Sequence, residues 1–343
     1  MLSAQACRIS RTRLLRAQIA KHDCIFGRPT YAAHRTPRGP KFALRESSEY
    51  KMSLLETLRP FYAQLVTRLA GVPPTAPQLA EAFAAVRREQ FLGAGPWQIV
   101  TPVGYLAAPD DPSFVYQDVA IALLPDRQIN NGQPSLHARC LAALQIKQGE
   151  ALVHVGAGTG YYTAVMSKLT GPNGSVVAYE VDQNLAARAA TNLSQYPNVS
   201  VQNRSAVEAP LPPCHVIYVN AGATGPVAAW LDSLLPGGRL LFPMTSSQGA
   251  GGMLLITRSA GAQPGAPVSN STFAAKFVSL AAFIHCLGAR DEGLGAKLAE
   301  AFKTGAFLKV QSLRRDGQPD DTCWFAGQGW WLSTAPPVER SPL

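Results

Sequence analysis

Near position 135 the spacing of apolar residues changes character. From there, apolar runs of strand length alternate with amphipathic stretches repeating every three or four residues. The pattern predicts helix 135–144, strand 152–155, helix 161–169, strand 175–180, helix 183–195, strands 199–202 and 216–220, helix 227–235 and strand 239–243. Such alternation predicts a doubly wound α/β domain whose mostly parallel sheet is covered on both faces. Apolar runs at 253–257 and 277–284 should extend the sheet, the late pair antiparallel. Residues 294–302 read as a helix, and 308–313 with 323–332 as a terminal hairpin turning around Asp316 and Gly317.

Upstream, residues 60–91 read as helical, with Leu65, Leu69, Leu79, Phe83 and Val86 three or four apart. Ser53 and Glu56 have capping-box spacing, and Pro60 suits the first turn of the following helix. The stretch 92–134 is looser and rich in Pro and Gly, the kind of loop that carries sites. Four regions result: a basic tail over 1–51, a helical and substrate-loop region over 52–134, the central domain over 135–285, and a C-terminal extension over 286–343 packed on it.

Charge refines this division. The chain has 343 residues and a formal net charge of +9. Residues 1–51 hold eleven Lys or Arg against Asp23, Glu46 and Glu49, whereas the rest of the chain has 20 basic and 19 acidic groups. A basic surface for nucleic acid is therefore not expected on the main body. Residues 1–51 are expected to be a disordered tail, an organelle transit peptide or an over-extended start, in that case with Met52 as the true beginning. No apolar run is long enough for a membrane-spanning helix, so a soluble, cytoplasmic protein is expected.

The six cysteines form no C-x-x-C pair and the six histidines no ligand spacing, so no metal is expected. Cys140 and Cys214 suit core packing. The chemistry-bearing segment is VHVGAGTGYYT, residues 153–163, a strand entering a glycine turn and then a helix. Gly156 suits the sharp turn, Gly158 a close backbone approach to a ligand, and Gly160 the opening of the helix. Glu180 ends the next strand about twenty residues later, where a doubly wound fold sets a carboxylate against a ribose diol. A nicotinamide dehydrogenase shares these features, but the dinucleotide form calls for glycine or alanine at Tyr161.

Several segments in order resemble the protein-L-isoaspartate O-methyltransferases: VRREQF, then FVYQDVAIALLPDRQINNGQPSLHARCL, VGAGTGYYT, VVAYEVD, VIYVNAGA and LLPGGRLLFP. The similarity runs from about Val86 to Phe283. It implies a Rossmann-like class I methyltransferase fold with N-terminal helices and a C-terminal extension. It also implies S-adenosylmethionine as cofactor and, as substrate, a damaged protein or peptide bearing the free carboxylate of an L-isoaspartyl residue. Carried over by position, Gly156, Ala157, Gly158, Thr159, Gly160 and Tyr161 would surround the methionine part. Glu180 would hold the ribose and Ser205 would lie near the adenine. Asn220 and Ala221 would border the reaction centre, and Asn131, Gly132 and Gln133 would position the acceptor.

The chain departs from the family pattern at three positions. His154 stands where the family usually has an acidic residue, Ser205 where it has an aspartate, and Gly132 where it has a hydroxyl residue. The side-chain amides of Asn130 or Asn131 are the expected replacement donors, and Gly132→Ser is expected to raise activity. Two other readings stay open: a methyltransferase for another carboxylate, peptide or small molecule, and a catalytically silent cofactor-binding protein. Oligomeric state is not readable from the chain.

Overall fold

The computed structural model describes residues 48–208, 210–260, 273–315 and 318–337. These all belong to one compact unit beginning at Ser47. The expectations for the basic tail, and for a turn at Asp316 and Gly317, fall outside the described residues. Helices α1 (Ser48–Leu69) and α2 (Gln78–Ala85) come first, followed by two small antiparallel pairs. These are β1 (Gln98–Thr101) with β2 (Gly104–Ala107), and β3 (Ala122–Leu124) with β4 (Ile129–Asn130). Then follow α3 (Pro134–Leu144), β5 (Ala151–Val155), α4 (Tyr161–Thr170), β6 (Ser175–Tyr179), α5 (Gln183–Asn192), β7 (Val199–Gln202) and β8 (Cys214–Val219). The chain continues through α6 (Ala228–Asp232), β9 (Leu234–Thr245), β10 (Ala250–Arg258), β11 (Phe273–Ala282), α7 (Glu292–Lys303), β12 (Ser312–Arg314), β13 (Cys323–Gly327) and β14 (Trp330–Ser333).

Among the described residues one ten-stranded sheet runs in the order β13-β14-β12-β11-β10-β9-β8-β5-β6-β7. The half from β9 to β7 is parallel, and every pairing on the other side of β9 is antiparallel. The late strands are thus antiparallel as the pattern predicted, and β12 to β14 prolong the same sheet. β5 pairs with β6 on one side and β8 on the other, so the winding reverses between β5 and β8 and opens a crevice at their carboxyl ends. The two-residue period of strands sets the core. Val216 and Tyr218 of β8 join the cluster shared with Tyr62, Phe83 and Leu141, while Ile217 and Val219 join Trp230, Phe242 and Leu298 on the opposite face. Cys140 and Cys214 are buried in these clusters as core residues. No described helix is long and apolar enough to cross a membrane.

Several elements differ from the pattern. α1 starts before Met52 and runs straight through Pro60, so Ser53 is not a cap; its carbonyl instead accepts the Thr57 hydroxyl at 3.1 Å. Burial of Tyr62, Ala63 and Val66 beyond the proline offsets the one hydrogen bond it removes. That buried face also turns Leu65 and Leu69 outward, at 48 % and 50 % exposure, while Leu79, Phe83 and Val86 are buried as expected. The helix predicted over 227–235 ends at Asp232 because Leu234 and Leu235 already belong to β9. Within 323–332 the chain folds into two strands, and the hairpin turns at Gln328 and Gly329.

One buried charge organises the N-terminal layer. Arg88 is fully buried, and its guanidinium donates to the carbonyls of Val115, Gln117 and Val119 at 2.6, 2.7 and 2.6 Å. The cation also lies 5.7 and 5.9 Å from the ring centres of Tyr62 and Tyr161, joining α1 and the start of α4 to segment 115–119. Arg88→Met keeps the length and leaves those carbonyls without their donor, at about 1–3 kcal/mol for each unsatisfied group. We expect denaturant titration to show a loss of at least about 3 kcal/mol, with Arg88→Lys recovering only part because an ammonium cannot reproduce the planar fork. A loss under about 1 kcal/mol for Arg88→Met would show that segment 115–119 holds itself in place.

Candidate active site

The crevice beyond β5, β6 and β8 is a cleft of about 1190 Å³. Gly156, Ala157, Gly158, Thr159, Tyr161, Glu180, Ser205, Asn220 and Ala221 line it together with Asn131, Gly132 and Gln133. Of the residues expected at the site only Gly160 is not part of that lining. Gly160 has φ +96°, and a Cβ built on it would meet Leu193 Cδ1 at 2.7 Å, so it starts α4 and packs behind the cleft. The glycine turn is held from below, the amides of Gly156 and Ala157 both donating to the Tyr179 carbonyl at 2.9 and 3.1 Å.

Glu180 is 7 % exposed and is anchored by backbone. Oε2 accepts the Gly158 amide at 2.8 Å and Oε1 the Asp182 amide at 3.0 Å. Burial pushes its carboxyl above the ordinary range, with the two amides acting against that shift. A carboxylate has about four acceptor positions, so one pair remains for a ligand with adjacent hydroxyls. Asp182 in turn caps α5 at Leu185 and pairs with Arg127 from the segment joining β3 to β4. Arg204 stacks 4.9 Å over the Tyr179 ring beside Ser205, whose hydroxyl accepts the Val207 amide.

On the opposite wall the loop 130–133 is fastened from several sides. Asn130 Oδ1 takes the Gly132 amide at 2.8 Å, so that amide is not available to an acceptor. Asn131 pairs with Ile121 through backbone and side chain, its amide donating to the Ile121 carbonyl at 2.9 Å and its Oδ1 accepting the Ile121 amide at 2.7 Å. Its Nδ2 is left buried without a partner. The Gln133 side-chain Nε2 donates to Asp118, whose carboxylate also accepts the Ser135 backbone amide and hydroxyl at 2.7 and 2.6 Å. Asp118 therefore caps α3 from seventeen positions upstream, a role no local signal in the chain announces.

His154 is a fully buried core histidine between Thr163 Oγ1 at 2.7 Å and Asn220 Nδ2 at 2.8 Å. Burial pushes it down to about 3, so it is a neutral link where an acidic residue was expected. By accepting from Nδ2 it orients the Asn220 amide, and Oδ1 of Asn220 is left without a partner. Among the described residues no group of three or more His, Cys, Asp or Glu could hold a metal ion. His137, from α3, also lines the cleft; sequence reasoning missed it because only the fold brings it up to Gly132.

A family model described as protein-L-isoaspartate(D-aspartate) O-methyltransferase matches residues 70–281. A protein-L-isoaspartate O-methyltransferase from Thermotoga maritima is 27 % identical over 175 residues, 48 % of this chain and 50 % of that protein. The chain thus spans about half the length of this curated relative. A solved protein-L-isoaspartate O-methyltransferase superimposes with a TM-score of 0.53 at 23 % identity, over 74 % of this chain and 69 % of that one. The structure of a Plasmodium falciparum protein described as a putative protein-L-isoaspartate O-methyltransferase, in complex with S-adenosyl-L-homocysteine, gives 0.50 at 15 % identity, covering 66 % and 97 %. These two structures share the fold, a Rossmann-like class I methyltransferase sheet, and the extent of the family match decides membership. The chain belongs to the protein-L-isoaspartate(D-aspartate) O-methyltransferase family.

Proposed function

We propose that this protein is an S-adenosylmethionine-dependent O-methyltransferase that esterifies the free carboxylate of L-isoaspartyl residues in damaged proteins or peptides. The observation that carries the cofactor assignment is Glu180, a buried carboxylate held by two backbone amides beside a glycine turn. S-adenosylmethionine supplies a methyl group on a positively charged sulfur. The Plasmodium neighbour's structure holds S-adenosyl-L-homocysteine, the demethylated form, which supports S-adenosylmethionine as the cofactor. Glu180 would accept the two ribose hydroxyls, Ser205 and Arg204 would border the adenine, and Asn220 Oδ1 would face the methionine end. The turn from Gly156 to Tyr161 would enclose that end.

A carboxylate acceptor is already ionised at neutral pH and needs no base to remove a proton. The chain has only to align the acceptor oxygen with the methyl carbon and exclude water. The cleft fits that task, since Val100, Leu123, Ile129, Leu136 and Phe283 give its lining apolar groups. Asn131 offers the free Nδ2 as donor, and Gln133 holds the loop to Asp118.

Titration calorimetry should show S-adenosylmethionine binding, and Glu180→Ala should weaken it by about 1–3 kcal/mol. The ribose hydroxyls need the ionised carboxylate, and the carboxyl of the free protein lies above the usual 4.5. Affinity should therefore be full near neutral pH and fall as pH drops towards that raised value, with Glu180→Gln weak and flat over the same window. An affinity unchanged in Glu180→Ala would remove it from the site. In a transfer assay with paired aspartyl and isoaspartyl peptides, only the isoaspartyl member should release S-adenosylhomocysteine. Asn131→Ala should lower that rate roughly tenfold with cofactor affinity intact. Binding without turnover on either peptide would favour a silent cofactor-binding protein.

A further inference from the structure

Gly132 has φ +71°, and the space its side chain would fill is taken. A Cβ built there would meet His137 Nε2 at 2.0 Å and Cδ2 at 2.8 Å. The imidazole is fixed on three sides. Its Nδ1 is 2.7 Å from the Tyr218 hydroxyl, its face stacks on Tyr162 at 3.7 Å and 9°, and Phe283 meets it edge-on at 6.3 Å. His137 is 2 % exposed, lines the cleft, and its Nε2 has no hydrogen-bond partner among the described residues. A nitrogen held this rigidly and left unpaired costs stability unless a ligand meets it.

The proton position follows from the neighbours. Desolvation, then His154 and Arg88, hold His137 well below its ordinary value, so the ring is neutral and carries one proton. Tyr218 stays a phenol, because burial and the nearby Cys140 and Tyr162 push its hydroxyl well above the usual range. With that phenol proton donated to Nδ1, the ring proton lies on Nε2, the atom that faces Gly132.

Resting on the carboxylate reading above, we propose that His137 Nε2–H, standing in the place of the side chain that Gly132 lacks, donates the hydrogen bond that receives the acceptor carboxylate. Asn131 Nδ2, buried and unpartnered one residue away, is its companion donor. A donor in this position favours an acceptor that arrives ionised and offers no lone pair to take a proton from an alcohol or ammonium. The specificity for a carboxylate then comes from a histidine on α3 and not from a hydroxyl on the loop. The same geometry overturns the expectation that Gly132→Ser would raise activity, since the added Cβ collides with the imidazole and the backbone is left-handed there.

The test combines a tautomer measurement with a variant series on the full chain. Nitrogen-15 spectra of the His137 ring should show the Nε2-protonated tautomer, and its Nε2 signal should move when isoaspartyl peptide joins the S-adenosylhomocysteine-bound protein. An Nδ1-protonated ring would overturn the proposal. His137→Phe, which keeps the stack on Tyr162, should lower kcat/KM for isoaspartyl peptide about 10- to 100-fold with S-adenosylmethionine affinity unchanged within about twofold. His137→Gln, which restores an N–H, should regain most of the loss. Tyr218→Phe, which frees the tautomer, should lower the rate less than His137→Phe. An equal fall in cofactor affinity and turnover in His137→Phe would assign Nε2 to the cofactor and sink the proposal. Gly132→Ser should be less stable and less active than wild type, and Gly132→Ser with His137→Ala should be more active than Gly132→Ser alone. A fully active, fully stable Gly132→Ser protein would also sink it. Wild type that ignores isoaspartyl peptide would refute the substrate reading instead, and the tautomer in the free protein would then decide the role of His137 by itself.

Discussion

Most of the acceptor side depends on the buried guanidinium of Arg88. By gathering the carbonyls of Val115, Gln117 and Val119, it holds the bent segment 115–119 in a single conformation. That conformation brings Asp118 to the amino end of α3, where it takes the Ser135 amide and hydroxyl and the Gln133 side chain. Just beyond it, Ile121 clamps Asn131 from two directions. A cation usually needs a carboxylate partner when buried, but here three carbonyl dipoles and two aromatic faces serve.

The cleft is divided electrostatically. Its cofactor side holds one buried carboxylate, Glu180, costly to keep ionised in the free protein and therefore ready for hydroxyl donors. Its centre and acceptor side hold groups that burial keeps uncharged: His154 between Thr163 and Asn220, and His137 between Tyr162 and Tyr218. The proposed methyl transfer joins a sulfonium to a carboxylate and removes two charges, so a neutral, low-dielectric setting would favour its transition state over the ion pair that precedes it. The replacement of an acidic residue by His154 is consistent with this, since a neutral link orients the Asn220 amide without adding a charge.

The parts of the site that lie within one strand-helix-strand unit were legible in the chain. Gly156 and Gly158 sit in the turn after β5 and Glu180 just beyond the end of β6, so the parallel pairing of these consecutive strands brings them together as expected. The order of strands and helices was legible for the same reason, since β8 and β9 contain apolar runs of strand length and α4 and α5 fall between such runs. Local rules failed where packing outweighed them. Pro60 and the spacing of Ser53 and Glu56 signalled a helix start that tertiary burial of Tyr62 and Val66 overrode, and Leu65 and Leu69 fell on the outer face.

What the amino-acid sequence determined by itself is the kind of fold, the family and the part of the cleft built by the glycine turn and Glu180, because these rest on short-range periodicity and on motifs in order along the chain. What only the tertiary structure decided is the opposite wall, around loop 130–133. Gly132 reads in sequence as a missing hydroxyl. In space it is a vacancy filled by His137, whose ring is set by Tyr162 from α4 and Tyr218 from β8. Those contacts span 25 and 81 positions of chain, and hydrogen bonding and stacking over such separations exist only once the sheet and its covering helices have assembled.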